Sequence, residues 1–312
     1  MNNPKNALII GNGFDLDLGL NTKFSDFANA EDFWPKKDDS PLSAFLDSKK
    51  TVEKWFDMEG ALRKYVLAPK GRFGDPNAID DKQVALDFEY FEKVRLGLMD
   101  YLTEEMKSDI KVDSTAARVL KGVYENSRFE YVYTQNYTDL NDFGRRLGLN
   151  NSGEVHYLHG SLANKDIIIG IDDLKLRNVY KNWRKTRSEY YKSHNIFADL
   201  DASKEIVFFG VSFGWIDYKY FKQFFAKVAS PTVDPIKEDE KKYITIFTFD
   251  ERDRLSILDF LERMDVDIDY LYSQAHFEII RTKEYQDEKK VESFLARLSK
   301  NRPSPIFTTA GF

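Results

Sequence analysis

The stretch at residues 7–19, ALIIGNGFDLDLG, decides the fold that this sequence predicts. It opens with a short continuous apolar run at residues 7–10, which is typical of a buried central strand. Gly11, Asn12 and Gly13 follow at once and indicate a tight turn that leads into a helix. A strand, a glycine turn and a helix in this order form the first unit of an open α/β sheet.

Runs rich in β-branched and aromatic residues recur further along the chain, and they predict additional strands. These runs occupy residues 129–134, 167–169, 206–209 and 243–249. The segments between them are long enough for helices. Strands that alternate with helices predict a doubly wound, Rossmann-type α/β fold with a mostly parallel sheet covered on both faces.

Residues 28–127 contain no comparable run and instead show helical spacing. Apolar side chains recur there at the intervals of a helix face, at Val84, Phe88, Phe91, Leu98 and Leu102. We therefore expect one α/β domain over residues 1–312, interrupted by a helical insertion at about 28–127.

Composition excludes several classes of protein. The 46 basic and 52 acidic residues leave a net charge of −6, which argues against a globally electrostatic nucleic-acid binder. Cysteine is absent, so the chain has no disulfide framework, thiolate nucleophile or cysteine zinc site. No stretch approaches the roughly 20 apolar residues of a membrane span, and the N-terminus lacks a secretory apolar segment. We expect a cytoplasmic protein with no membrane contact.

The glycine turn at residues 11–13 is the first candidate site. Glycines let backbone N–H groups approach a pyrophosphate, and a helix N-terminus favours an anion. Leu16 stands where the third glycine of the usual G-x-G-x-x-G pattern belongs. A tight strand-to-helix turn without a ligand explains the segment equally well, so both interpretations stay open.

A second candidate follows the strand at residues 129–134. Gln135 and Asn136 come at its carboxyl end, where ligands of open α/β sheets bind. An asparagine offers a donor and an acceptor, which suit a ribose hydroxyl or an attacking water. The alternative is an asparagine that caps the following turn.

The third candidate is HYLHG at residues 156–160. His159 has the residue type of a general base near neutral pH, and Gly160 leaves room beside it for a ligand. The alternative for either histidine is a buried, hydrogen-bonded imidazole, and we favour it for His156. No carboxylate pattern completes a zinc site around these histidines, so no metal is expected.

The fourth candidate is a second glycine turn after the strand at residues 206–209. Gly210, Ser212 and Asp217 compose a loop that suits a phosphate or a ribose. The same segment matches G-x-S-x-G, which allows a serine hydrolase with Ser212 as nucleophile. Asp217 or Asp250 and then His276 would complete that triad. This alternative leaves the first three candidates unexplained.

Several of these segments resemble known motifs. TQN at residues 134–136 and LHG at residues 158–160 resemble sirtuin motifs. IIGNGFDLDLGLNTKFSDF at residues 9–27 resembles the opening of the AbiH family, bacterial abortive-infection proteins that act against phage and are assigned to a sirtuin-like superfamily. Asn21 replaces the usual proline of that opening. Further similar blocks are WFDME at residues 55–59, NYT at residues 136–138, HG at residues 159–160 and GVSFGWIDYKYF at residues 210–221.

The resemblance implies an antiphage protein that binds NAD, NADP or a related dinucleotide and hydrolyses the nicotinamide–ribose bond. Asn136 would then orient water or the ribose, and His159 would be the base. The implied ligand-binding residues are Gly11, Asn12, Gly13, Phe14, Asp15, Gln135, Gly210, Ser212 and Asp217. Without cysteine, the four-cysteine zinc module of deacylating sirtuins cannot form.

Other features of the resemblance leave alternatives open. A non-catalytic nucleotide sensor would need much the same residues. A second copy of the chain or a phage-derived trigger is the expected partner. Asp57 and Glu59 either enter the site from the insertion or form a solvated helix edge.

Overall fold

The computed structural model describes residues 5–52, 57–67, 81–125, 129–149, 154–171, 178–213, 218–230 and 236–300. Asp217 and Trp55, which the sequence analysis singled out, lie outside these residues.

The centre of the fold is a parallel sheet of six strands. These are β1 (Lys5–Ile10), β2 (Phe129–Thr134), β3 (Val155–Tyr157), β4 (Ser203–Phe209), β5 (Lys242–Thr248) and β6 (Ala275–Arg281). The strand order is β3-β2-β1-β4-β5-β6, the arrangement of a Rossmann-like doubly wound fold. The predicted fold class is confirmed.

Strand β1 is the middle of the sheet because it pairs with β2 on one side and β4 on the other. Ile10 lies beside Thr134 of β2 and beside Phe209 of β4. The three strands therefore end side by side. The chain builds outward through β2 and β3, and then returns to start β4 next to β1. That reversal creates a crevice at the carboxyl ends of β1 and β4.

Helices surround the sheet. They are α1 (Gly13–Asp17), α2 (Phe24–Asn29), α3 (Pro41–Val52), α4 (Met58–Leu67), α5 (Asp81–Glu105), α6 (Thr115–Tyr124), α7 (Leu140–Arg146), α8 (Ile196–Ala202), α9 (Tyr218–Val228), α10 (Glu251–Arg263), α11 (Ile268–Gln274) and α12 (Glu288–Lys300).

Alternate residues of the buried strands face opposite sides of the sheet, as a pleated backbone requires. Ile9 and Phe208 belong to a core that includes α8, α9 and α11. Leu8 and Val207 belong to the opposite core, under α1, α6 and α12. Both faces of the sheet are therefore covered.

A third apolar core lies among helices α2 to α5 and holds no residue of the sheet strands. The predicted apolar positions Val84, Phe88, Phe91, Leu98 and Leu102 all lie on α5 and belong to this core or pack against it. Among the described residues between β1 and β2, the backbone forms helices and no strand.

Two strands were not predicted, and one predicted strand is wrong. Strand β3 is short and only half-buried, and β6 carries His276 and Glu278 within its apolar pattern. Residues 167–169 form no strand, although all three isoleucines are buried. Ile167 and Ile169 pack into the third core, so a buried connecting segment produced the same apolar run as a strand.

Within the described residues, no helix is long and apolar enough to cross a membrane.

Candidate active site

A cleft of about 540 Å³ opens at the carboxyl ends of β1, β2 and β4. This is the crevice where ligands of open α/β sheets bind. Its lining comprises Asn12, Asp15, Thr22, Phe24, Asp57, Glu59, Gly60, Arg63, Leu98, Leu102, Gln135, Asn136, Tyr137, Thr138, His159, Gly170, Ile171, Lys185, Gly210 and Ser212.

The two glycine turns pack directly against each other behind this cleft. A Cβ atom on Gly13 would lie 2.6 Å from the Gly210 Cα, and one on Gly11 would lie 2.6 Å from the Gly210 carbonyl oxygen. Gly210 itself has a φ of +65°, a left-handed conformation that glycine adopts without strain. Both turns need glycine because the backbone of one touches the backbone of the other.

Three backbone amides of the first turn are used inside the protein. Gly11 N–H donates to the Phe209 carbonyl oxygen at 2.9 Å, Gly13 N–H to that of Gly210 at 3.1 Å, and Phe14 N–H to that of Gly11 at 3.0 Å. The Phe14 ring is buried in the sheet core. Gly11, Gly13 and Phe14 thus support the cleft from behind, while Asn12 and Asp15 line it.

Asp15 is the centre of a buried polar network. Its Oδ1 accepts a hydrogen bond from Asn136 Nδ2 at 2.8 Å, and its Oδ2 accepts one from the Thr138 hydroxyl at 2.8 Å. Burial raises the pKa of the Asp15 carboxyl to about 7, against the lowering effect of the hydrogen bonds from Thr138 and Asn136. Asp15 therefore changes charge near neutral pH.

The end of β2 delivers Asn136 to this network. The Asn136 backbone N–H donates to Thr134 Oγ1 at 3.0 Å, which fixes the turn. Its side-chain Nδ2 also donates to the Gly11 carbonyl oxygen at 3.1 Å. Since both N–H donors of the amide are used, its Oδ1 is the atom that can accept a hydrogen bond from a ligand or water.

His159 follows β3 and reaches the same cleft. The residue is buried, and its carbonyl oxygen accepts a hydrogen bond from Ile168 N–H at 2.7 Å. Gly160 has a φ of +74°, and a Cβ atom there would lie 1.9 Å from the Asp166 carbonyl oxygen. The glycine thus makes room for the backbone of the next loop, rather than for a ligand as we expected.

Helices supply a different part of the lining. Lys185 Nζ lies 2.7 Å from Glu59 Oε1, and both side chains are more than nine-tenths buried. Leu98 and Leu102 of α5 contribute apolar surface, and the exposed Arg63 lies one turn after Glu59 on α4. We call Glu59, Arg63, Leu98, Leu102 and Lys185 the helix wall, and Asn12, Asp15, Asn136, Thr138 and His159 the strand wall.

The two carboxylates expected from the insertion behave differently. Glu59 is buried in the cleft lining, so the solvated-edge interpretation is wrong for it. Asp57 is exposed, and its Oδ1 accepts a hydrogen bond from Gly60 N–H at 3.0 Å at the start of α4. Asp57 is therefore a helix cap at the rim of the cleft.

The serine hydrolase alternative fails on the position of its histidine. Ser212 follows the carboxyl end of β4, whereas His276 is in register with Tyr243 and Glu205 near the amino ends of their strands. At about 3.3 Å per residue, the length of β4 beyond Glu205 alone separates them by more than about 10 Å. No relay between Ser212 and His276 can form.

His156 lies on β3, outside the cleft lining. Its ring centroid is 4.9 Å from that of Tyr133 and 5.7 Å from that of His194. The Tyr133 hydroxyl donates to Asp199. His156 is thus part of a packed aromatic group, but it is half-buried and not the buried imidazole that we favoured.

Three polar side chains of the two walls, Thr138, Arg63 and Lys185, were assigned no role from the sequence. Thr138 belongs to the NYT block of the resemblance but received no role, whereas its hydroxyl donates a hydrogen bond to Asp15. Arg63 and Lys185 carry no local signal, since one is an ordinary helix cation and the other follows a connecting segment. Only the tertiary fold brings Lys185 to Glu59.

The sheet is that of a Rossmann-like α/β protein, and a cleft that contains several polar side chains lies at its strand reversal, the edge at which open α/β sheets bind ligands. The chain belongs to the AbiH family: the sequence profile described as "Bacteriophage abortive infection AbiH" matches residues 7–236, which include every residue of both walls. Membership supports a role in bacteriophage abortive infection. No curated protein matches the chain.

Proposed function

We propose that the cleft binds NAD, NADP or a related dinucleotide and hydrolyses its nicotinamide–ribose bond. One observation carries this proposal: Asp15, Asn136 and His159 come from three separate segments and line one cleft at the strand reversal. The resemblance of TQN and LHG to sirtuin motifs indicates the same ligand.

The cleft suits a dinucleotide in size and lining. A volume of about 540 Å³ falls within the usual range of small-molecule sites, roughly 300–1,000 Å³. Phe24, Leu98, Leu102 and Ile171 offer apolar surface for a ring system. Asn12, Gln135 and Ser212 offer polar groups for ribose hydroxyls.

The reaction separates the ribose C1′ atom from the nicotinamide ring nitrogen. The bonding electron pair leaves with nicotinamide and neutralises its positive charge, so the leaving group needs no proton. Positive charge develops on the ribose, and the ionised Asp15 carboxylate stabilises it. Asn136 Oδ1 orients the water, which adds to C1′ and gives its proton to His159.

The direct test is nicotinamide release from NAD by the full chain, with wild type beside His159→Ala and His276→Ala. His276 is the matched control because it lies at the opposite edge of the sheet. We expect turnover in wild type and His276→Ala, and loss of about 100-fold or more in His159→Ala, the usual contribution of a general base. Equal turnover in all three proteins would contradict the assignment.

A non-catalytic nucleotide sensor is the second candidate, because the buried network around Asp15 would serve binding as well as chemistry. In that case wild type would release no nicotinamide, and NAD would still raise its melting temperature. If NAD neither turned over nor raised the melting temperature, the dinucleotide proposal would fail.

A further inference from the structure

We infer that the diphosphate of the bound dinucleotide lies against the helix wall and is held by Arg63, and not by the Gly11, Gly13 and Phe14 amides of the glycine turn. This inference rests on the proposed function, because it assigns the place of one group of that ligand. It reverses the expectation that the first glycine turn cradles the phosphates.

The first observation is that backbone amides of the glycine turn already donate hydrogen bonds within the protein. Phosphate binding at such a turn depends on backbone N–H groups that point at the ligand. Here the N–H groups of Gly11, Gly13 and Phe14 all donate to carbonyl oxygens of the protein. The close packing against Gly210 holds this arrangement in place. Helix α1 has only five residues, so it adds little dipole.

The second observation is the charge of the strand wall. Asp15 lies there, and its carboxylate carries negative charge once the pH exceeds its pKa of about 7. Diphosphate oxygens placed beside this carboxylate would meet like charge in a partly buried site, where screening is weak. The strand wall therefore favours the ribose, which becomes positively charged in the proposed reaction, and disfavours the negatively charged diphosphate.

The third observation is the charge of the helix wall. The cations among the described lining residues are Arg63 and Lys185, and the same side also carries the carboxylates of Glu59, which pairs with Lys185, and of Asp57 at the rim. Lys185 is buried against Glu59, while Arg63 is exposed at the cleft, one helical turn after Glu59. A guanidinium binds phosphate oxygens through two parallel N–H bonds. Arg63 is therefore the residue placed to take the diphosphate.

The test compares Arg63→Gln with Lys64→Gln in the full chain, after melting curves show that both are folded. Lys64 is the matched control, since it is exposed on the same helix and does not line the cleft. The probe is ADP-ribose, which retains the diphosphate and lacks the bond that is cleaved. Its dissociation constant is measured by calorimetry, and Arg63→Lys is included as the conservative variant.

We expect Arg63→Gln to weaken ADP-ribose binding by about 10- to 100-fold, the effect of one lost charge-assisted contact. Lys64→Gln should match wild type, and Arg63→Lys should fall between them. If wild type binds ADP-ribose and Arg63→Gln binds it equally well, this inference is overturned and the proposed function stays intact. Wild type that binds no ADP-ribose and releases no nicotinamide would overturn the proposed function, and this inference with it.

Discussion

Backbone contacts hold the strand wall in place, whereas an ion pair between side chains holds the helix wall. Two glycine turns touch at Gly13 and Gly210, and this contact supports Asp15 and Asn136 from behind. The helix wall instead depends on the pair of Glu59 and Lys185, which joins two segments far apart in sequence. The two walls should therefore respond differently to substitution, and four changes test that difference.

The largest expected effect is on the helix wall. Lys185→Met leaves the Glu59 carboxylate buried without its cation, which typically costs about 3–5 kcal/mol of unfolding free energy. Replacing both partners, as Glu59→Leu with Lys185→Met, should cost far less because no buried charge remains. Chemical denaturation measures the unfolding free energy of the single and the double variant. Lys107→Met removes one partner of an exposed pair and should be nearly silent. A Lys185→Met protein as stable as wild type would show that the pair does not hold the wall.

The next effect is a gain of stability at the strand wall. The Asp15 pKa is raised from 3.8 to about 7, so the native state binds one more proton than the unfolded state between these values. The group's stabilising contribution is complete below pH 3.8 and is lost as the pH rises through 7. Above pH 7, Asp15→Asn should stabilise the protein by up to about 4 kcal/mol.

The measurement for Asp15→Asn is the unfolding free energy of both proteins at several pH values. The unfolding free energy of Asp15→Asn minus that of wild type should grow between pH 4 and 7 and then level off. A difference that stays constant over this range would mean that Asp15 does not titrate there.

A smaller loss is expected from the contact between the glycine turns. Gly210→Ala puts a Cβ atom 2.4 Å from the Gly13 Cα at a φ of +65°, and we expect a loss of about 2–4 kcal/mol from strain and displaced backbone. Gly148→Ala is the control, since Gly148 has a φ of +75° with open space around it. The control should lose only about 1–2 kcal/mol. Equal losses in denaturation experiments would mean that contact between the turns contributes nothing.

The smallest effect concerns Thr138→Val, which removes one hydrogen bond to Asp15. The expected loss is about 1 kcal/mol. The hydrogen bond lowers the Asp15 pKa, so its removal should raise that pKa further. If the proposed reaction needs ionised Asp15, the pH at half-maximal nicotinamide release should rise as well. If the pH at half-maximal nicotinamide release stays the same, the reaction does not depend on the ionisation of Asp15.

The strand wall was largely predictable from sequence, and the helix wall was not. Asn12, Asp15, Asn136 and His159 follow strand-end or glycine patterns that carry a local signal. The purposes of Gly11, Gly13 and Gly160 were predicted less well, because close backbone packing and ligand access require the same residue. Lys185 reaches Glu59 only through long-range packing, which leaves no periodic pattern in the chain.

The strands of the sheet also divide into those that the sequence predicts and those that it does not. Strands β1, β2, β4 and β5 contain short runs of apolar, β-branched and aromatic residues and were predicted, because their carboxyl-terminal halves are buried and leave a clear signal. Strands β3 and β6 lie at the edges of the sheet, where half-buried polar residues interrupt the run.

The most direct test of the whole account is the steady-state kinetics of nicotinamide release from NAD by wild type, Asp15→Asn and Arg63→Gln. If the strand wall performs the chemistry and the helix wall binds the diphosphate, Asp15→Asn should lower kcat with little change in KM. Arg63→Gln should raise KM with little change in kcat. Wild-type parameters in both variants, or the same parameter shifted in both, would contradict the account.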